Sequence, residues 1–306
     1  MRPTTALPRK VAATVLAVTL GAMTGFAPAA VASSPAHSWQ PSALDKHKAI
    51  TVQVLKRLFE DGDTAVVDRY IRPDYIQHNP LAPNGTEALK ALAGPLTAQF
   101  PHLKYDIKRM IADGDLVLVH SNVVLTPGTR GSAVVDIFRF DRNHMIAEHW
   151  DTVQDVPATS VSGNDMFSTV SSPRTNQPGP RWLTQRTRSA ATAYFDQLLV
   201  DKDVDAVKRL APEYHQHNPA IPSGTAGLRE TFTAFFQQFP QLTADRKRVI
   251  AEGDLVAIHA HYRTSPEDRG QSVVDIFRVR PDGKIVEHWD VVQDVPATSA
   301  NDNTMF

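Results

Sequence analysis

Two stretches of this chain place a carboxylate where a sheet core would be. In Val134-Val135-Asp136-Ile137-Phe138-Arg139, strand alternation puts Val134, Asp136, Phe138 and Phe140 on one face. Val135, Ile137 and Arg139 take the other. The same motif returns as Val273-Val274-Asp275-Ile276-Phe277-Arg278, with Asp275 between Val273, Phe277 and Val279. A carboxylate among apolar neighbours is costly unless it is partnered or used. Desolvation raises its pKa, which suits a general base or a neutral hydrogen-bond donor. The competing reading is an aspartate fixed by an arginine or by backbone amides.

The histidines come next. His120 and Asn122 lie two apart and share a face, as do their counterparts His259 and His261. His149 shares a face with Asp151, and His288 with Asp290. His78-Asn79 and His217-Asn218 each precede a proline, which restricts the asparagine to extended backbone and aims the pair. A loop-to-strand lock is the plainer reading of that feature. The histidine spacings form no compact ligand motif such as H-E-x-x-H, so no metal is expected. A zinc site assembled from separate strands is the alternative. Any one of these histidines could equally be structural. Glu148 and Trp150 face away from His149 and Asp151 and read as sheet packing or interdomain contact.

These residues recur because the chain is a tandem repeat. Tyr75-Ile-Gln-His78-Asn79-Pro80 returns as Tyr214-His-Gln-His217-Asn218-Pro219, and Glu148-His149-Trp150-Asp151 as Glu287-His288-Trp289-Asp290. The register between Tyr75–Phe167 and Tyr214–Phe306 never slips. Each copy is the size of an ordinary domain and should have its own core. Helices precede strands in each. Ile50, Val54, Leu55, Leu58 and Phe59 share a helical face, a short helix follows around Ala65–Tyr70, and Gly85-Thr86 starts a third with Thr86 as N-cap. Residues 106–111, 116–125, 133–140 and 145–153 are β-rich and joined by turns such as Asp113-Gly114-Asp115. The order predicts an α+β domain with an antiparallel meander wrapped on its N-terminal helices, enclosing a pocket. The segment Val153–Ser160, repeated as Val292–Ser299, is expected to cap the sheet.

Of 306 residues, 42% are hydrophobic and 21% charged, and the net charge is −1 with no basic stripe, so no nucleic-acid partner is expected. Cysteine is absent, which excludes disulfides and a thiol nucleophile. Arg2, Arg9 and Lys10, an apolar run from Val11 and the Ala30-Val31-Ala32 site read as a signal peptide over 1–32, hence a secreted protein with no membrane partner after cleavage. A retained anchor is the alternative. A flexible lead-in (33–43), domain one (44–167), a linker (168–181) and domain two (182–306) follow. The apolar face carrying Val135, Ile137 and Trp150, with Val274, Ile276 and Trp289, predicts an internal pseudo-dimer of the two domains.

With Q-H-N-P, I-A-D/E-G-D-L-V, V-V-D-I-F-R and I-x-E-H-W-D in order, each copy resembles the SnoaL-like polyketide cyclase family. That family lies within the nuclear transport factor 2-like superfamily, beside ketosteroid isomerase and limonene epoxide hydrolase. The resemblance implies tandem cone-shaped α+β barrels with a pocket between helices and sheet. It implies that Asp136 and Asp275 are the catalytic acid/base and that His120, Asn122, His259 and His261 supply polar pocket groups. Asn79 and Asn218 stand where the isomerase carries its Asp base, and Leu55 stands near the place of its helix-one tyrosine, which disfavours isomerase chemistry. The reading is therefore a cofactor-independent cyclase or aldol-type enzyme acting on a small apolar carbonyl compound. Catalysis is assigned to Asp136, His120, Asp275 and His259. Substrate contacts are assigned to His78, Asn79, Asn122, Phe138, His149 and Asp151, and to His217, Asn218, His261, Phe277, His288 and Asp290. A non-catalytic binder of hydrophobic molecules and an epoxide-hydrolase-like hydrolase are the competing functions.

Overall fold

The structure is a computed structural model that describes residues 42–171 and 179–306. The signal peptide, nearly all of the lead-in and half of the linker lie outside the described residues. No helix among the described residues is long and apolar enough to cross a membrane.

Copy one opens with α1 (Ala43–Phe59). Ser42 Oγ accepts from Asp45 N at 3.2 Å and Asp45 Oδ2 accepts from Ser42 N at 3.1 Å, a reciprocal cap. Its buried face is Ile50, Val54, Leu55 and Leu58, at helical spacing. Next come α2 (Ala65–Tyr70), β1 (Ile71–Gln77) and α3 (Thr86–Gln99). Gly85, not Thr86, caps α3, because the cap residue has φ +91°, which a side chain opposes. Strands β2 (Lys104–Asp113), β3 (Leu116–Val124), β4 (Ser132–Phe140) and β5 (Ile146–Asp155) form the expected antiparallel meander.

The strand order is β1-β5-β4-β3-β2, and β1 pairs parallel with β5. Arg72-Pro73-Asp74 hides β1 from a strand reading. Proline is tolerated there because β1 is an edge strand and owes the sheet no hydrogen bond on its free side.

Copy two repeats the plan with α4 (Arg181–Phe195), β6 (Leu210–Gln216), α5 (Thr225–Gln238), β7 (Thr243–Glu252), β8 (Leu255–Arg263), β9 (Gln271–Val279) and β10 (Ile285–Asp294), ordered β6-β10-β9-β8-β7. A π-helical turn, Asp196–Val200, extends α4.

Each sheet has two unlike faces. One packs on the helices: Val117, Val119, Phe138 and Phe140 meet Ile50, Val54, Leu55 and Leu58. The other faces the second copy. Val135, Ile137 and Trp150 share one buried cluster with Val274, Ile276 and Trp289. The guanidinium of Arg109 lies 3.8 Å over the Trp289 ring, and that of Arg248 lies 3.9 Å over Trp150. Gln154 Oε1 accepts from Val292 N at 2.9 Å and Gln293 Oε1 from Val153 N at 2.8 Å. Each large apolar side chain fully buried here contributes about 1.5–3 kcal/mol, so the joint is a continuous core.

Candidate active site

The site of copy one is built from three adjacent strand positions. In the β4–β5 ladder Asp136 lies directly opposite Asp151, and Phe138 opposite His149. In the parallel β1–β5 pair Gln77 lies beside His149. Two carboxylates facing each other across a ladder repel, and here an imidazole holds one and an amide the other. His149 Nδ1 donates to Gln77 Oε1 at 2.9 Å, and its Nε2 is 3.1 Å from Asp136 Oδ1. Gln77 in turn donates through Nε2 to Tyr75 Oη at 3.0 Å and accepts from Asn79 N at 2.9 Å. Asn79 Nδ2 donates to Asp151 Oδ2 at 2.5 Å. Because Gln77 Oε1 only accepts, Nδ1 must carry a proton. The Nε2–Oδ1 contact therefore holds one further proton that either partner can keep.

Copy two repeats this frame. His288 Nδ1 donates to Gln216 Oε1 at 2.8 Å, Nε2 is 2.9 Å from Asp275 Oδ1, and Asn218 Nδ2 donates to Asp290 Oδ2 at 2.7 Å. Gln216 Nε2 donates to Tyr214 Oη at 3.0 Å.

Burial sets the charges. It pushes the Asp151 carboxyl up to about 6, against the opposing pull of His149 and with the added repulsion of Asp136. Asp290 is raised for the same reasons. Burial lowers His149, but the hydrogen bond to Asp136 and the charges of Asp151 and Asp136 outweigh it, and the net shift is upward. His288 behaves alike. The buried phenols of Tyr75, Tyr105, Tyr214 and Tyr262 are driven well above their ordinary value and stay protonated. Among buried atoms without a hydrogen-bond partner are Asp136 Oδ2, Asp151 Oδ1 and Asp290 Oδ1. Ligand atoms of Asp136, His149 and Asp151 lie within 4.8 Å of one another, as do those of Asp275, His288 and Asp290. A cation could fit there only by taking the place of the imidazole–carboxylate hydrogen bond.

Asp136, His149, Asp151, Asn79 and Phe138 are thus brought together, as are Asp275, His288, Asp290, Asn218 and Phe277. The Phe138 ring centroid lies 4.7 Å from that of His149, and Phe277 lies 4.9 Å from His288.

Six expected residues are elsewhere. Val119, not His120, is opposite Asp136, so His120 pairs with Val135 and points to the interdomain side, where Arg109 bonds its Nδ1. Asn122, opposite Ala133, follows it. His259 is opposite Val274 and His261 opposite Ser272. His259 bonds Arg248 and Ser272, and His261 bonds the Arg269 carbonyl at 2.7 Å. His78 and His217 also leave the pocket. Alternation gives that side to Gln77 and Asn79, while His78 meets Glu148 at 2.7 Å and stacks on Trp150. His217 meets Glu287 at 2.8 Å and stacks on Trp289.

Gln77, Tyr75 and their counterparts also belong to the frame, although the sequence expectations do not include them. Their signal was present: if Asn79 faces the pocket, so do Gln77 and Tyr75. Tyr194 in α4 lines the second pocket, so copy two carries a first-helix tyrosine where α1 of copy one has none.

Copy two encloses a cavity of about 420 Å³. Tyr194, Phe232, Phe235 and Phe277 supply apolar wall, and Asp275, His288 and Asp290 form its polar end. Among the described residues lining it there is no lysine or arginine. Gln154 of copy one completes the wall.

Residues 52–149 and 191–288 both match the SnoaL-like domain. The chain belongs to this family, twice over. A relative from Aspergillus carbonarius (strain ITEM 5010), named probable cyclase otaY, is 32% identical over 105 residues, which is 33% of this chain and 81% of that protein. Similar solved structures include one from Acidithiobacillus ferrooxidans that carries a provisional polyketide cyclase name: 26% identity, 35% of this chain and 87% of that one, TM-score 0.31. IdmH of Streptomyces antibioticus is another, at 25% identity, 35% and 91% coverage and TM-score 0.30. In both SnoaL-like domains, then, the family's sheet carries the Asp–His–Asp frame and its Gln–Asn clamp.

Proposed function

We propose that this tandem SnoaL-like protein is a cofactor-independent cyclase of the aldol type, acting on a neutral, largely apolar carbonyl compound. The observation that carries the reading is the pair of opposed carboxylates in an apolar pocket, one raised by burial and the other coupled to an oriented imidazole. Two carboxylates whose surroundings differ in this way divide into donor and acceptor roles. Asp136 Oδ2, buried and unpartnered, takes the proton α to the substrate carbonyl. The electrons move into the carbonyl, and protonated Asp151 donates a hydrogen bond to the enolate oxygen. The enolate carbon then attacks a second carbonyl of the same molecule. The new alkoxide recovers the proton from Asp136, so atoms balance without an oxidant. In the cavity of copy two, two carboxylates and the lack of a lysine or arginine among the described lining residues disfavour anionic substrates. The cyclase name of the Aspergillus relative supports the same class.

A model reaction tests this: deuterium uptake at the central carbon of a neutral β-diketone, followed by NMR. The Asp136→Asn/Asp275→Asn double variant should slow it by about 10²–10⁴-fold. An unchanged rate sinks the reading. A binding role is the second reading for copy two, because Tyr262 Oη already donates to Asp275 Oδ2 at 2.7 Å. The leader sequence supports export, and an intact Met1 on the extracellular protein would refute cleavage.

A further inference from the structure

After its last strand each copy sends a tail to the other copy. The two tails make the same three contacts at positions equivalent by the repeat. Asn303 Nδ2 donates to Gln77 O at 2.9 Å, and Asn164 Nδ2 donates to Gln216 O at 2.9 Å. Ala300 N donates to Pro80 O at 2.7 Å, and Val161 N donates to Pro219 O at 2.7 Å. The His78 ring donates through Nδ1 to Thr304 O, and the His217 ring to Asp165 O.

Every carbonyl gripped belongs to the loop that carries the Gln–Asn clamp of the opposite site. Gln77 O is three bonds from the Cβ of the side chain that orients His149, and Pro80 follows the Asn79 that holds Asp151. We propose that each tail positions the pocket of the other copy: Asn303 is a positioning residue for the Asp136–His149–Asp151 site, and Asn164 for the Asp275–His288–Asp290 site. The site of either copy is then incomplete without the other. That these sites are the reactive ones rests on the functional reading above, but the grip itself does not.

The two grips differ in strength. Asn301 donates through Nδ2 to Asn79 O and Ala82 O, both at 2.8 Å, and Asn303 also reaches Asn84 Oδ1 at 2.9 Å. Asn84 Oδ1 is the acceptor of Gln77 N at 2.8 Å. At the position equivalent to Asn301 copy one has Ser162, whose hydroxyl turns to Ser160 Oγ at 2.7 Å. The loop of copy one is therefore the more tightly held.

The test uses the full chain, with hydrogen–deuterium exchange resolved by peptide. Asn303→Ala should speed exchange over residues 77–85 by about tenfold, as loss of one or two hydrogen bonds implies, and leave 216–224 unchanged. Asn164→Ala should do the converse, with a smaller factor. Both asparagines are only partly buried, so neither variant opens a core cavity. A second readout separates positioning from mere loosening: the side-chain ¹⁵N resonances of His149 should move in Asn303→Ala, and those of His288 in Asn164→Ala. Neither readout needs catalysis, so a failed cyclase assay leaves this result standing. Faster exchange in the variant's own copy, equal loosening of both loops, or unmoved imidazole resonances across the joint would each overturn the proposal.

Discussion

The two copies hold one frame and dress it differently. In copy one Tyr105 on β2 stands opposite Val123 on β3. In copy two the ladder has Ala244 opposite Tyr262, so the phenol has moved to the neighbouring strand. From there Tyr262 reaches Asp275 and occupies its second oxygen, whereas the matching oxygen of Asp136 is without a partner. The helix differs too: Tyr194 of α4 packs edge-on to Phe277 with centroids 5.6 Å apart, and α1 of copy one has no tyrosine. A single ladder step by one aromatic ring is enough to turn an available base into an engaged one. On the proposed function, copy one is the reactive site and copy two the binding site.

The largest effect should come from the base. Asp136→Asn should lower β-diketone exchange by about 10²–10³-fold, while Asp275→Asn lowers it by about threefold or less. Equal losses would break the distinction between the copies.

Next in size is the joint. Trp289→Ala should cost about 3–5 kcal/mol in denaturant unfolding, because Trp289 is fully buried and its Nε1 donates to Ser168 O at 2.8 Å. Its counterpart Trp150 has a buried Nε1 without a partner. Replacement by phenylalanine should therefore cost about 1 kcal/mol more at Trp289 than at Trp150.

A third effect concerns pH. The Asp151 carboxyl is held at about 6 in the folded chain, above its ordinary value of 3.8. The folded state thus keeps this proton longer than the unfolded chain does. Its contribution to stability is full below about pH 4 and is lost as pH rises through about 6. His149 is also raised, so its contribution is full below 6.5 and lost as pH rises through its folded value. Asp151→Asn should then be more stable relative to the wild type at about pH 7.5 than at about pH 4, by roughly 2–3 kcal/mol. Urea titrations at both pH values check this, and a pH-independent difference would count against a buried, raised carboxyl.

The smallest effect should sharpen the contrast between the sites. Tyr262→Phe in the Asp136→Asn background releases Asp275 and should restore exchange severalfold, at a stability cost of about 1 kcal/mol. No gain in exchange would mean that the phenol is not what restrains copy two.

Much of this was legible in the residues. The repeat, the helices-then-strands order and the two faces of the Asp136 strand all follow from local spacing. So does the pairing of His149 with Asp151 on one side and of Glu148 with Trp150 on the other. What local spacing cannot supply is the relation between strands. His120 and Asp136 each lie on a known strand, but which side His120 takes depends on register, and the register puts Val119 opposite Asp136. Alternation carried on past the end of β1 separates His78 from Asn79, yet Arg72-Pro73-Asp74 does not read as a strand. Spacing also gives no sign that burial raises Asp151, whose partner is a neutral amide.

In a symmetric dimer of identical chains every substitution is made twice, once on each side of the axis. Here the crossed tails reproduce what such a dimer would offer, but both halves are written into one polypeptide. A change such as Tyr262 can then occur on one side alone. The covalent link also fixes the ratio of the two unlike pockets at one to one, whatever the concentration of the protein. The price of that arrangement is modularity: a half cut out by itself would lose the strand of chain that finishes its own loop.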